Sequence, residues 1–261
     1  MTPGRLEELR QLEPAPVPGA FDLTVVVPTR NERDNIAPLL RRLERVCPEL
    51  RLEVLFVDDS TDDTPRVIEE QMGRCSCAVS LIHRPGKDRS SGLGGAVRTG
   101  LLAAESDLVC VMDADLQHPP EVLGTLVDTA VSSNADVVVA SRYRLAGDVG
   151  EFSPLRVAVS RGSAMLAKLL FPRRLRSVSD PMSGFFLVRR SAIDAAALRP
   201  RGFKILLEIL VSSGRLTTSE VPFRFGQRYS GHSKASLREG TRYLRRLAEL
   251  RAHRHRLRLA G

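Results

Sequence analysis

Between Thr24 and Ala140 five short apolar runs alternate with stretches of helical period. The runs are Thr24–Thr29, Val54–Val57, Val79–Ile82, Leu108–Met112 and Val137–Ala140, and the helical stretches are Asn35–Val46, Thr64–Met72, Ala96–Ala104 and Pro120–Val131. Apart from Ser80 and the threonines at the ends of the first run, the runs are apolar without a regular polar alternation, as strands are when both faces are covered. Covered strands separated by helices predict an α/β fold with a mainly parallel sheet, because parallel neighbours need a long crossover. Ligands of such sheets meet the carboxyl ends of the strands. Five strand ends are thereby singled out: PTRNE (28–32), DDSTDD (58–63), HRPGK (83–87), DADLQ (113–117) and SRY (141–143).

The chain has 261 residues, 43% of them hydrophobic, enough for one sizeable core. No apolar run reaches the roughly 18 residues of a membrane span, and the first twenty residues lack the apolar centre of a signal peptide. The expected organisation is a loose N-terminal arm over 1–20, one domain over 21–236 and a basic helix or tail over 237–261, in a cytoplasmic protein. Cys47, Cys75, Cys77 and Cys110 do not make the two close pairs of a zinc site, so reduced thiols are expected. The net charge of +8 is concentrated at the end: Leu237–Gly261 holds eight arginines against Glu239 and Glu249, 8 − 2 = +6. Such a tail suits an anionic membrane surface, nucleic acid or plain solvent. Aromatics able to stack on bases are sparse here, and nucleic acid is not the expected partner.

Chemistry concentrates at the strand ends. In DADLQ, Asp113, Asp115 and Gln117 repeat every two residues and can share a side, either as a site for a hard divalent cation or as an ordinary polar turn before Pro119 and Pro120. Asp58 and Asp59 adjoin a buried strand, where a carboxylate can accept hydrogen bonds from a base or ribose. The first strand ends without G-x-G-x-x-G, so a dinucleotide site fits poorly. The glycines of SGLGGAVRTG (91–100) read as a tight turn that brings a helix close to the sheet. The histidines His83, His118, His232, His253 and His255 all read as structural or solvated, which leaves no strong candidate for a general base.

The second half holds an amphipathic helix over 153–171 with Arg156, Arg161 and Lys168, then DPMSGFFLVRR (180–190), a helix near Ile205–Ser212 and a strand near Glu220–Phe225. Taken in order, PTRNE, VDDSTDDT, RPGK with GLGGA, MDADLQHPP, ASRY, DPMSGFF, GFKILLEIL and VPFRF followed by GHSK resemble the family-2 glycosyltransferases of the polyprenyl-phosphate (dolichyl-phosphate) mannose synthase type. The likeness runs from about Leu23 to Arg246. It implies a GT-A-type, Rossmann-like domain that binds nucleotide-diphospho-sugars, with basic, amphipathic helices at its C-terminal side.

The resemblance also implies roles. Pro28, Thr29, Glu32, Val57 and Asp59 would hold the nucleotide, together with Asp113, Ala114 and Asp115. Asp113, Asp115 and Gln117 would hold Mg2+ or Mn2+ and the diphosphate. Arg142, Arg156 and Ser160 would bind an acceptor phosphate. Arg228 would act from a loop over the donor, and with Asp115 and Arg142 it completes the catalytic set. The implied reaction is inverting transfer of mannose from GDP-mannose to a polyprenyl phosphate at the inner face of the cell membrane, with a membrane-anchoring subunit as a further implied partner. A phosphate monoester with a second pKa of about 6 is already a nucleophile at neutral pH, which agrees with the lack of a base. Two alternatives stay open: glucose transfer from UDP-glucose, and a non-catalytic basic protein that docks on membrane or nucleic acid.

Overall fold

A computed structural model describes residues 21–46, 48–84, 86–144, 148, 154–200, 202, 204–230 and 243–252. Seven strands form one sheet in the order β3-β2-β1-β4-β6-β5-β7: β1 (Leu23–Thr29), β2 (Leu52–Asp58), β3 (Ala78–His83), β4 (Leu108–Val111), β5 (Val137–Ser141), β6 (Phe186–Arg189) and β7 (Thr218–Pro222). Only β6 is antiparallel, inserted between β4 and β5. Its direction brings the preceding DPMSGF segment to the same edge as the carboxyl ends of the other strands.

The helices α1 (Arg33–Val46), α2 (Thr64–Gln71), α3 (Gly92–Ala103), α4 (Val122–Ser132), α5 (Pro154–Leu170), α6 (Pro172–Leu175) and α7 (Ile205–Ser212) cover both faces. Alternate strand residues therefore enter different cores. Val26, Leu55, Val57, Val109, Val139 and Phe186 pack with α3, α5 and α7 on one side. On the other side Val25, Val27, Val54, Phe56, Cys110 and Leu187 pack with α1, α2 and α4. Two buried faces are why the runs lack a regular polar alternation.

The glycine-rich segment behaves as its composition requires. Gly92 opens α3 at φ +62°, and a Cβ on Gly100 would lie 2.4 Å from Val26 Cγ1, so α3 rests directly on β1. The helix starts at Gly92, four residues before the expected Ala96, because close packing outweighs glycine's poor helix propensity.

The expected strand Glu220–Phe225 is shifted toward the N-terminus as β7, and Arg224 continues it only through an isolated bridge to Asp148. β6 was not expected as a strand at all. Of the basic C-terminal stretch expected as a helix or tail over 237–261, the described residues are 243–252. Residues 243–252 are helical, with Tyr243, Leu247 and Leu250 in the first core. Arg246 there meets the buried Glu208 of α7 at 2.9 Å.

Candidate active site

The D-x-D-x-Q element leaves β4 at the centre of the sheet, where apolar burial ends and carboxylates reach the edge. Leu116 takes φ +64°, an uncommon conformation for a residue with a side chain, and the Gln117 N–H donates to Asp115 Oδ1 at 3.0 Å. This tight turn keeps Asp115 on the cleft side.

His118 supports the turn from beneath. It is almost fully buried, stacked on Phe185 at 5.3 Å between centroids and edge-on to Phe223 and Phe225. Its Nδ1 accepts the Asp113 N–H at 3.0 Å, which requires the neutral ring. Burial pushes its pKa down to about 4, in agreement with that bond. The structural role expected of His118 is the one observed.

Asp113 is half-buried, with a good part of its side chain open to solvent, and the surrounding protein still desolvates it. That desolvation pushes its pKa up to about 6; Arg228, Arg142 and Lys204 oppose the rise, and Glu32 adds to it. Charges after β1, at the end of β5, at the start of α7 and in the 226–230 segment thus all act on one carboxylate at the end of β4. Burial and the charge of Asp113 also raise the pKa of Asp115. Two carboxylates that resist ionising together, with the amide of Gln117 beside them, fit a hard divalent cation that keeps waters and takes diphosphate oxygens. Among the described residues there is no cluster of three or more His, Cys, Asp or Glu. A cation here would therefore rest on two carboxylates and a neutral amide.

Arg228 is the charge that Asp115 now meets, at 2.7 Å, and it donates to Gln117 Oε1 at 2.9 Å. The backbone around it is docked as well. Gly226 N donates to Gln117 O at 2.8 Å and Tyr229 N to Asp115 O at 3.1 Å. Farther along, Asn35 Nδ2 reaches Ser230 O at 3.4 Å. Residues 226–230 thus strap the cleft from β4 to α1.

On the nucleotide side, Thr29 Oγ1 donates to Asp58 Oδ1 at 2.7 Å, and Glu32 accepts from Asn35 Nδ2 at 2.6 Å. Pro28, Val57 and Ala114 are buried. Both oxygens of Asp59 are held by Arg84, at 2.8 and 2.5 Å. Asp58, fully buried, is bound by Thr29, Ser60 and His83. A cavity of about 550 Å3 adjoins this group and shares Arg84, with Lys87, Arg98 and Arg199 on its walls.

At the end of β5, Arg142 is nearly buried and forked onto Asp180, at 2.8 and 3.0 Å; Asp180 itself has no exposed surface. Its neighbour Tyr143 donates to Ser160 Oγ on α5 at 2.8 Å. Arg156 lies on α5 one turn before Ser160, and its side chain falls outside the described residues. Asp180, Arg84 and Lys204 were not expected in the site, although each stands in one of the motifs DPMSGFF, RPGK and GFKILLEIL. Their signal was an ion-pairing partner or a neighbouring charge far away in sequence.

A mainly parallel α/β sheet thus gathers acids and arginines at its carboxyl edge, where ligands of such sheets bind. Residues 24–196 match the profile of "Glycosyl transferase family 2", and the chain belongs to that family. It is 36% identical over 228 residues to "Dolichol-phosphate mannosyltransferase" of Pyrococcus furiosus, covering 87% of this chain but only 63% of that relative. It is 33% identical over 243 residues to the protein of the same name from Saccharomyces cerevisiae, covering 88% and 87%. A solved structure of glucosyl-3-phosphoglycerate synthase from Mycobacterium tuberculosis, in complex with Mn2+ and UDP-glucose, shares the fold with a TM-score of 0.63 at 23% identity, covering 96% of this chain and 82% of that one.

Proposed function

We propose that this glycosyltransferase moves mannose from GDP-mannose to a polyprenyl phosphate with inversion at the sugar carbon, using Mg2+ or Mn2+. The observation that carries the reading is the meeting, at one sheet edge, of paired carboxylates and an arginine and hydroxyl cluster. Arg228, Arg142 and Lys204 all act electrostatically on Asp113. The names of relatives at 33–36% identity point to the same acceptor class.

In this reading Glu32 and Asp59 hold the nucleoside, and Asp113, Asp115 and Gln117 hold the cation and diphosphate. The cation would neutralise charge that develops on the departing diphosphate. Arg142, Arg156 and Ser160 orient the acceptor phosphate. A phosphate oxygen supplies the electron pair for the new bond to the sugar carbon, and the bond from that carbon to the nucleoside diphosphate breaks. No proton has to leave the nucleophile, so the neutral, buried His118 need not serve as a base.

A lipid acceptor calls for a surface that approaches a membrane. On α5, Val159, Met165 and Leu169 are exposed beside Arg161 and Lys168, the pattern of an interfacial helix. Among the described residues no helix is long and apolar enough to cross a membrane. We place the protein at the cytoplasmic face, where its substrates would meet.

The test is incubation with labelled GDP-mannose, UDP-glucose or UDP-N-acetylglucosamine, each with a polyprenyl phosphate and Mn2+, followed by lipid extraction. The expected result is labelled lipid from GDP-mannose, lost on chelation. Label from UDP-glucose alone would reassign the donor, and no label from any donor would favour a binding protein.

A further inference from the structure

Ser160 and Arg142 come from different elements, α5 and the end of β5, and one side chain touches both. Tyr143 donates its hydroxyl proton to Ser160 Oγ at 2.8 Å. The ring of the same tyrosine lies 5.5 Å from the Arg142 guanidinium carbon and 5.4 Å from that of Arg161. Such distances are within cation–π range. Arg142 is also stacked near Phe225, at 5.7 Å, and its inner edge is committed to Asp180.

The direction of the Tyr143 bond matters chemically. A phosphate dianion offers only acceptors, so a serine that meets it must donate. Because Tyr143 fills an acceptor position on Ser160 Oγ, the serine proton is left to point elsewhere. A hydroxyl that already accepts one hydrogen bond also donates a stronger one. The backbone around Tyr143 is fixed in turn, since its N–H donates to Ser141 Oγ at 3.1 Å, and Ser141 bonds Ser179 next to Asp180.

We infer that Tyr143 is a positioning residue for acceptor binding: through its hydroxyl it sets Ser160 to donate to the acceptor's phosphate, and through its ring it keeps the Arg142 guanidinium beside that serine. The inference rests on the proposed role of Arg142 and Ser160 in holding the acceptor phosphate. Tyr143 itself need not touch the phosphate.

The experiment compares the full chain with Y143F, S160A, R142K and the double variant Y143F/S160A. Acceptor KM, donor KM and kcat are read with a polyprenyl phosphate, and thermal melting confirms that each variant folds. Y143F removes one hydroxyl and keeps the ring. It is expected to raise acceptor KM about fivefold, the worth of one ordinary hydrogen bond, with donor KM and kcat within about twofold of wild type. The double variant is expected to equal S160A alone, because Tyr143 acts through Ser160. A general loss of packing would not produce that non-additivity. Unchanged acceptor KM in Y143F, or effects that multiply in the double variant, would overturn the inference while R142K and S160A still support the acceptor site. If R142K and S160A also leave acceptor KM unchanged, the acceptor assignment itself is wrong and the inference falls with it.

Discussion

His118 and Asp113 lie five residues apart and are shifted in opposite directions by the same enclosure. The histidine is held neutral with its pKa near 4, and the aspartate is raised to about 6. For His118 the sign follows from its ordinary value of 6.5: between pH 6.5 and about 4 the unfolded chain takes up a proton that the folded ring refuses. Stability from this group is therefore complete above pH 6.5 and falls with acidification, by about 3 kcal/mol in total. Asp113 works against that trend, so the informative quantity is a difference. The melting temperature of wild type should drop more steeply than that of His118→Phe over this range; parallel curves would contradict the neutral, buried ring. D-x-D-x-Q was legible in the sequence because its residues are adjacent and the chain itself makes the turn. The bonds of Asp59 to Arg84 and of Arg142 to Asp180 were not, since those partners stand 25 and 38 positions apart. Nothing local says which arginine, in a chain with many, will find which acid.

Strands covered on both faces announce themselves, and β1 to β5 were each located to within about two residues. β6 was not, for a physical reason. It has only four residues, FLVR, and follows Pro181 and Gly184, so its apolar run is short and its start resembles a turn. Its antiparallel insertion between β4 and β5 is a tertiary outcome that no window of sequence contains. The strap at 226–230 is similar: its docking depends on Gly226, where a Cβ would lie 3.0 Å from Leu116 O. Substituting Gly226→Val should lift the strap and Arg228 from Asp115. We expect donor KM to rise about tenfold, the worth of one hydrogen bond to a charged group, with a melting temperature lowered by about a few degrees. An unchanged donor KM would mean that the strap has no part in donor binding.

In the proposed function the donor binds at the ends of β1, β2 and β4, and the acceptor at the end of β5 and on α5. Composition suggested a basic helix or tail over 237–261, and within it Tyr243, Leu247 and Leu250 draw residues 243–252 into the core shared with α5 and α7. Tyr243 also donates to Ser163 O on α5 at 2.7 Å. The charge count was legible; the few apolar residues that decide which side of the helix is buried were harder to weigh among the arginines. In the proposed reaction the carboxylates after β4 are the point where cation, diphosphate and sugar meet. The most direct test is mannolipid formation from GDP-mannose by Asp115→Ala, with melting measured on the same sample. The account predicts a folded protein whose metal-dependent transfer is lost, and a folded variant that turns over at the wild-type rate would contradict it.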